Sequence, residues 1–431
     1  MGLFALLISS LTGYFVLSFF KNASEAIDIM DIFSMTGLGL GISAQIVFYT
    51  LLILGRIDPM AIIQGHLLCL CALFILSRYH VSRCRPVFSF TVSQGVSIFL
   101  ILCLVLGTAS LMAVIRPWGD WDGWAYWNYH ANFLFKSGSQ WQRLFEFNIQ
   151  AHHPWMLPLM IIWGWSFNPV PQALVPAVIG IIFTIGTVGL LIGALKRHVS
   201  FFSSVLGGIF LASIPIYIYH GTSQYADILA AYFILLSSVL AADLLKAPAV
   251  NTAVLAGLCL GLTACVKDNS LLASVLLFIL VVIRLYKTGA SIFIRPLSWG
   301  FTVFLVSAVL MKIFEISFLR YNTYDVFLPG LWIWPKWVLI GQFAWASLSD
   351  LNWGGLWLLA MAVLILRQWS VKEPQCLLAR FIAFFIIFNF FVFAASGLKL
   401  EWLLSVSFNR LLYLLAPTVI FLVFCAIGQR E

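Results

Sequence analysis

Two carboxylates, Asp120 and Asp122, lie two residues apart in a stretch that runs Arg116-Pro117-Trp118-Gly119-Asp120-Trp121-Asp122-Gly123-Trp124-Ala125-Tyr126-Trp127. On a helix, side chains at i and i+2 diverge, so these acids can converge on one ligand only from a loop or extended turn, which Gly119 and Gly123 permit. A carboxylate within reach of a hydroxyl can take its proton, and two acting together can hold a divalent cation such as Mg²⁺ or Mn²⁺. Three more charged positions stand at the edges of apolar runs: Asp227 in Gln224-Tyr225-Ala226-Asp227, Lys267 beside Asp268 at the tip of a helical hairpin, and Arg410 at the start of the last apolar run. Ionisable groups flanked by apolar sequence are candidates for function. The alternative is that each satisfies a helix end or snorkels to an interface, and that the aromatic loop is a belt with solvated acids. His152 and His153 precede Pro154. Neighbouring side chains on a helix point about 100° apart, so these two are not expected to share a metal; one faces the site and the other the interface.

Such groups are scarce in this chain. Of 431 residues, 62% are hydrophobic and 9% charged, and the mean hydropathy is +1.02, which excludes a soluble globular protein. The 24 Lys and Arg against 16 Asp and Glu give a net charge of +8. They are scattered singly or in twos and threes, without the stripe or arm that nucleic-acid binding requires. Among the eight cysteines only Cys69 and Cys71 are closely spaced, inside an apolar segment, so neither a disulfide framework nor a zinc site is expected.

The elements that must position the charges are membrane spans. Runs free of Asp, Glu, Lys and Arg cover 1–20, 32–54, 60–77, 87–115, 147–195, 199–226, 247–266, 381–398 and 411–428, each long enough to cross a bilayer or nearly so. Shorter runs at 228–242, 269–283, 297–311 and 351–366 reach that length once flanking charges snorkel. The expectation is an all-α polytopic membrane protein of about 13 transmembrane helices. It forms one integral membrane domain, 1–431, with N-terminal helices in 1–86, an extracytoplasmic loop at 116–152 and the remaining helical core in 154–428. Residues 1–20 lack the basic start and cleavage site of a signal peptide and are expected to stay as a first helix.

The run 147–195 divides at Asn168, Pro169 and Pro171 into an interfacial or re-entrant helix over 154–167 and a span over 173–195; 336–350 is also expected to be interfacial. Trp124, Trp127, Ala131 and Leu134 form an apolar stripe suited to a helix lying on the membrane surface. Lys312 and Glu315 are spaced for an ion pair, and His66 for a hydrogen bond between helices. Fourteen Lys and Arg fall on one face against nine on the other, with Lys312 inside a span. The positive-inside rule then puts the N-terminus outside and the C-terminus in the cytoplasm. Loops 116–152, 220–227, 267–269, 320–336 and 399–410 lie together on the extracytoplasmic side, so the candidate charges share one face.

The segment Trp121-Asp122-Gly123-Trp124, followed by a surface helix and then His153-Pro154-Trp155-Met156-Leu157-Pro158-Leu159, resembles the first large extracytoplasmic loop of the C-type membrane glycosyltransferases (GT-C). The similarity is to the branch of protein O-mannosyltransferases and lipid A aminoarabinose transferases. Tyr225-Ala226-Asp227, Gly261-Leu262-Thr263-Ala264-Cys265-Val266-Lys267-Asp268-Asn269 and Asn409-Arg410 through Pro417 are similar to that branch in order and spacing, so the resemblance covers about 85–428. It implies an inverting transfer of a sugar from a polyprenyl-phosphate donor to a lipid, glycan or protein acceptor at the outer face. In that scheme Asp122 is the base, and Asp120 is its helper or a ligand of a divalent metal. Lys267 and Arg410 hold the phosphate, Asp227 orients a sugar hydroxyl, and Tyr225, His153 and Trp124 contact substrate. The prenyl tail occupies a groove between helices, and the expected setting is a bacterial inner membrane. Two other classes remain: a transporter or flippase of lipid-linked glycans, which would be expected to carry inverted repeats, and a non-catalytic membrane scaffold.

Overall fold

The computed structural model describes residues 2–21, 27–80, 91–147, 153–168, 170–318, 328–367 and 374–428, and among them the chain is helical with no β-strand. His152 and Pro169 lie outside the described residues. Four long apolar helices come first: α1 (Gly2–Phe20), α2 (Ile29–Leu54), α3 (Pro59–His80) and α4 (Val92–Ile115). The large loop carries a π-helical turn (Gly123–Trp127), α5 (Asn128–Lys136), a 3₁₀ turn (Gly138–Arg143) and the short α6 (Leu144–Phe147). There follow α7 (Met156–Trp165), α8 (Leu174–Lys196), α9 (Phe201–Ser213), α10 (Pro215–Thr222), α11 (Ala226–Lys246), α12 (Val250–Ala264), α13 (Asp268–Lys287) and α14 (Ile294–Phe318). The last four are α15 (Trp334–Leu348), α16 (Leu356–Arg367), α17 (Gln375–Ala394) and α18 (Leu400–Gly428).

Among the described residues ten helices are long and apolar enough to cross a membrane, and α9 with α10, bent by 68°, would make an eleventh. Each of the 13 expected segments holds a helix, but three depart from a plain span. Pro215 has no N–H to continue a helix from α9, so the chain bends there and α10 starts afresh. In the run 247–266 only 15 residues are helical, because Ala247, Pro248 and Ala249 are used by the turn before α12. The run 351–366 spends its start on a 3₁₀ turn and on Gly354 and Gly355, both at positive φ, leaving α16 with 12 residues. An uncharged run measures the absence of charge; it does not measure helix.

The helices are apolar on all sides, so burial sorts them into core and lipid boundary. α11 is buried except at Asp243, Leu245 and Lys246, and most of α8 and α18 is buried. α3 and α4 instead expose most of their apolar side chains. α7 has ten residues, about 15 Å at 1.5 Å each, too short to cross, and every one of them is buried. Its tryptophans serve packing inside the protein: Trp163 donates to Ser9 Oγ at 3.0 Å and stacks on His66 at 3.5 Å. His66 keeps its Nδ1 contact within α3, on the Ile62 carbonyl at 2.8 Å. It therefore joins α7 by stacking, where a hydrogen bond between helices was expected.

The expected surface stripe also turns inward. Trp127, Ala131 and Leu134 are buried, and α5 packs on α7. The π turn, closed by the Asn128 N–H on the Gly123 carbonyl, carries Trp124 off that stripe and leaves it half-exposed. The α12–α13 hairpin is fixed by backbone contact with α14. A Cβ on Gly257 would lie 2.2 Å from the Leu297 carbonyl, and one on Gly300 would lie 2.2 Å from that of Val254.

Candidate active site

Four charged side chains from separate parts of the chain meet at one end of the bundle. Asp227 is the second residue of α11, Lys267 immediately precedes α13, Arg410 is the eleventh residue of α18, and Asp122 leads into the π turn. Arg410 donates through Nη2 to Asp227 at 2.8 Å and through Nη1 to Asp122 at 2.5 Å, and Lys267 Nζ donates to Asp227 at 2.6 Å. Asp227 is wholly buried and Lys267 nearly so, whereas the side chains of Arg410 and Asp122 are each 26% exposed. The cluster thus has a sealed half and an open rim.

Local structure explains each position. Asp227 sits in the first turn of α11, where the helix dipole favours a carboxylate, and two cations offset the cost of burying its charge. Burial, opposed by Asp227 and reinforced by Arg410, holds the Lys267 ammonium below the usual lysine range. The expected loop 399–410 is mostly helix: α18 begins at Leu400, so Arg410 lies about 15 Å inside the helix end. Lys399 and Glu401 are exposed, and their charges mark the protruding end of α18 where a loop was expected.

The aspartate loop is docked on the turn between α10 and α11. The Asp120 N–H donates to the Ser223 carbonyl at 3.1 Å. Asn128 Nδ2 donates to Gln224 Oε1 at 2.7 Å and to the Trp118 carbonyl at 3.1 Å, and Gln224 Nε2 donates to the Pro117 carbonyl at 3.0 Å. Gln224 adopts φ +59° with its side chain buried, a strained backbone held by these bonds. Tyr225 supports the rim twice: its hydroxyl accepts from the Asp122 N–H at 3.4 Å, and its ring lies 4.8 Å from the Arg410 guanidinium. Burial, then the charges of Asp122 and Asp120, push the Tyr225 hydroxyl up, so it stays protonated.

Asp120 belongs to a neighbouring group. It accepts a hydrogen bond from the Tyr219 hydroxyl and lies 3.6 Å from Arg116, whose guanidinium sits 4.8 Å from the centre of the Tyr219 ring. Partial burial raises the Asp120 carboxyl, but the Tyr219 hydroxyl, the Trp121 N–H and Arg116 together hold it below the usual carboxylate range. The two acids therefore turn to different cationic partners. Among the described residues no group of three or more His, Cys, Asp and Glu gathers that could hold a metal ion. This donor set does not fit the Mg²⁺ or Mn²⁺ considered for Asp120 and Asp122, since each carboxylate already has a guanidinium beside it. It fits an anion.

His153 Nδ1 lies 3.1 Å from Asp268, and its ring stacks on Trp127 at 5.7 Å. Lys312 bridges Asp268 and Glu315, so the expected pair with Glu315 is present at 2.8 Å. Asp268 and Lys267 are consecutive, which puts this second polar group next to the first. Trp124 meets Trp121 edge to face at 4.9 Å, on the exposed side of the loop. Sequence reasoning missed Arg116, Tyr219, Asn128, Gln224 and His220. The last has a buried Nδ1 without a hydrogen bond and a ring 5.1 Å from that of Tyr413. The available signal was the polar run Tyr219-His220-Gly221-Thr222-Ser223-Gln224-Tyr225 between two apolar segments. No family model, no curated protein and no solved structure matches this chain.

Proposed function

We propose that the chain is an integral membrane glycosyltransferase that moves a sugar from a polyprenyl-phosphate donor to a hydroxyl of a lipid, glycan or protein, with inversion at the sugar carbon. One observation carries this reading: Asp122, Asp227, Lys267 and Arg410 converge in a chain poor in charge, with buried Asp227 holding Lys267 and Arg410 beside the partly exposed carboxylate of Asp122. Lys267 and Arg410 bind the phosphate through charge-assisted hydrogen bonds in a partly dry site. Asp122, at the rim, takes the acceptor proton as the hydroxyl attacks. The departing phosphate monoester has a second pKa near 6 and leaves without a general acid. Asp227 is enclosed with both oxygens engaged, so on this reading it orients the two cations, and the sugar hydroxyl is left to other groups.

A groove of about 680 Å³ between α4 and α9–α10 supports a lipid donor: it runs past Ile101, Leu104 and Ile216 to Asn409 and to Tyr219, the hydrogen-bond partner of Asp120. The site belongs, on this reading, at the outer face of a bacterial inner membrane. Transfer from a radiolabelled polyprenyl-phosphate sugar in proteoliposomes tests the proposal. Asp122→Asn is expected to lose roughly 10²- to 10⁴-fold in rate with little change in melting temperature. Full activity in that variant would remove Asp122 as the base.

A flippase for lipid-linked glycans is the second reading. It is favoured by a second ion network at the far end of α11, where Arg197 donates to Asp28 at 2.6 Å and to Asp243 at 3.0 Å. In the same liposomes, movement of the labelled lipid between leaflets with no transfer to any acceptor would favour the flippase.

A further inference from the structure

We infer that Arg410 exchanges partners: without donor its Nη1 clamps Asp122, and an arriving phosphate takes that nitrogen and releases the carboxylate. The inference rests on the glycosyltransferase reading and adds a control on when its base is free. Arg410 has a fork of donors, and Asp227 holds the other side of it, with Nη2 at 2.8 Å and Nε at 3.4 Å. The guanidinium plane therefore keeps its orientation when Nη1 changes partner. Of the two acids, Asp227 is out of reach of a ligand, at 0% exposure, whereas Asp122 is 26% exposed and sits on a loop. A phosphate oxygen approaching the exposed side of Arg410 must come to the place that Asp122 Oδ2 occupies, and two anions at one N–H repel.

Magnitudes favour the exchange. A partly exposed ion pair contributes little, and a phosphate at Arg410 carries more negative charge than the carboxylate it displaces. The displaced carboxylate stays beside the donor through the Asp122 N–H contact on Tyr225. It is then able to accept a hydrogen bond from an acceptor hydroxyl. Binding is consequently ordered, donor before acceptor, and the base is withheld until there is a sugar to transfer.

Equilibrium binding of a polyprenyl monophosphate in detergent micelles tests this on the full chain and on Asp122→Asn and Asp122→Ala. The matching polyprenol serves as neutral control, and inorganic phosphate as a ligand without a tail. Both variants are expected to bind the phosphate lipid more tightly than wild type, by up to about fivefold, because a competitor worth about 1 kcal/mol or less is gone. The same tightening with inorganic phosphate assigns the effect to the anion. Equal or weaker binding by Asp122→Asn, at an unchanged melting temperature, would overturn the exchange and leave the glycosyltransferase reading standing. If wild type binds the phosphate lipid no better than polyprenol, the anion site is absent, and both the reading and the exchange fall.

Discussion

Asp227 and Asp122 share Arg410, yet their surroundings give them different weights. A carboxylate at 0% exposure is tolerable only because Lys267 and Arg410 both bond it, and removing it leaves the buried Lys267 without its anion and Arg410 with Asp122 alone. Breaking a buried pair in this way costs about 3–5 kcal/mol, whereas the rim pair is worth about 1 kcal/mol or less. Asp227→Ala is therefore expected to lower the melting temperature in detergent far more than Asp122→Asn does; equal shifts would show that the sealed half does not hold the cluster together. Asp120 gives a prediction in pH. Its folded carboxyl is held low by Tyr219, Trp121 and Arg116 against the effect of partial burial. A depressed carboxyl adds stability above its unfolded value of about 3.9, and that stability is lost as pH falls through the folded value. The stability gap between wild type and Asp120→Asn should stay level from neutral pH to about 5 and close below about 4. A gap that widened on acidification would contradict these contacts.

At the scale of elements, the docking of the aspartate loop on the α10–α11 turn aligns Asp122 with Arg410, and two glycines permit the approach. A Cβ at Gly123 would lie 2.6 Å from the Ser223 carbonyl, and one at Gly119, where φ is +80°, would lie 2.4 Å from it. Gly123→Ala must lift the loop, and a misplacement of about 1 Å can cost about 10²-fold in rate. On the proposed reading, sugar transfer should fall on that order in Gly123→Ala while Gly341→Ala, whose Cβ would meet nothing within 4 Å, stays silent. Retained transfer in Gly123→Ala would mean that the loop finds its place without this contact. The sequence reveals the long spans because a bilayer fixes their length, so α1, α2, α8 and α11 follow from uncharged runs. It does not reveal α7 as a buried helix, since tryptophans serve an interface and a protein core equally well. It marks Asp122, Asp227, Lys267 and Arg410 because charge in apolar sequence is costly. Gln224 and Tyr219 stay hidden, for their roles lie in bonds to a loop about a hundred residues away, which no linear pattern records. The start of α18 is misjudged for a related reason: a helix that protrudes past the apolar layer carries charges a loop would also carry.

Along α11, charge is confined to its two ends. Asp227 and Asp243 are 16 residues apart on that helix, about 24 Å at 1.5 Å per residue, close to the thickness of a bilayer's hydrocarbon core. At the far level Arg197 bridges Asp28, Asp31 and Asp243, and Lys21 pairs with Asp31, so the ends of α1, α2, α8 and α11 are tied together. Between the levels α11 presents only uncharged side chains to its neighbours. Two charged layers with an uncharged layer between them are what a membrane imposes on a chain that must keep its ions at the boundaries. We propose, from the excess of Lys and Arg, that the Asp243 level faces the cytoplasm and the Asp227 level the exterior. In a background lacking the native cysteines, Ser139→Cys in the large loop should react with a membrane-impermeant thiol reagent on intact cells. Ala247→Cys, exposed at the other end of α11, should react only after the membrane is opened. Reversed labelling would turn the candidate site toward the cytoplasm and require a donor presented on that side. Labelling of both from one side would mean that the two ion networks do not lie at opposite faces of a bilayer, and the placement of α11 as a membrane span would fail.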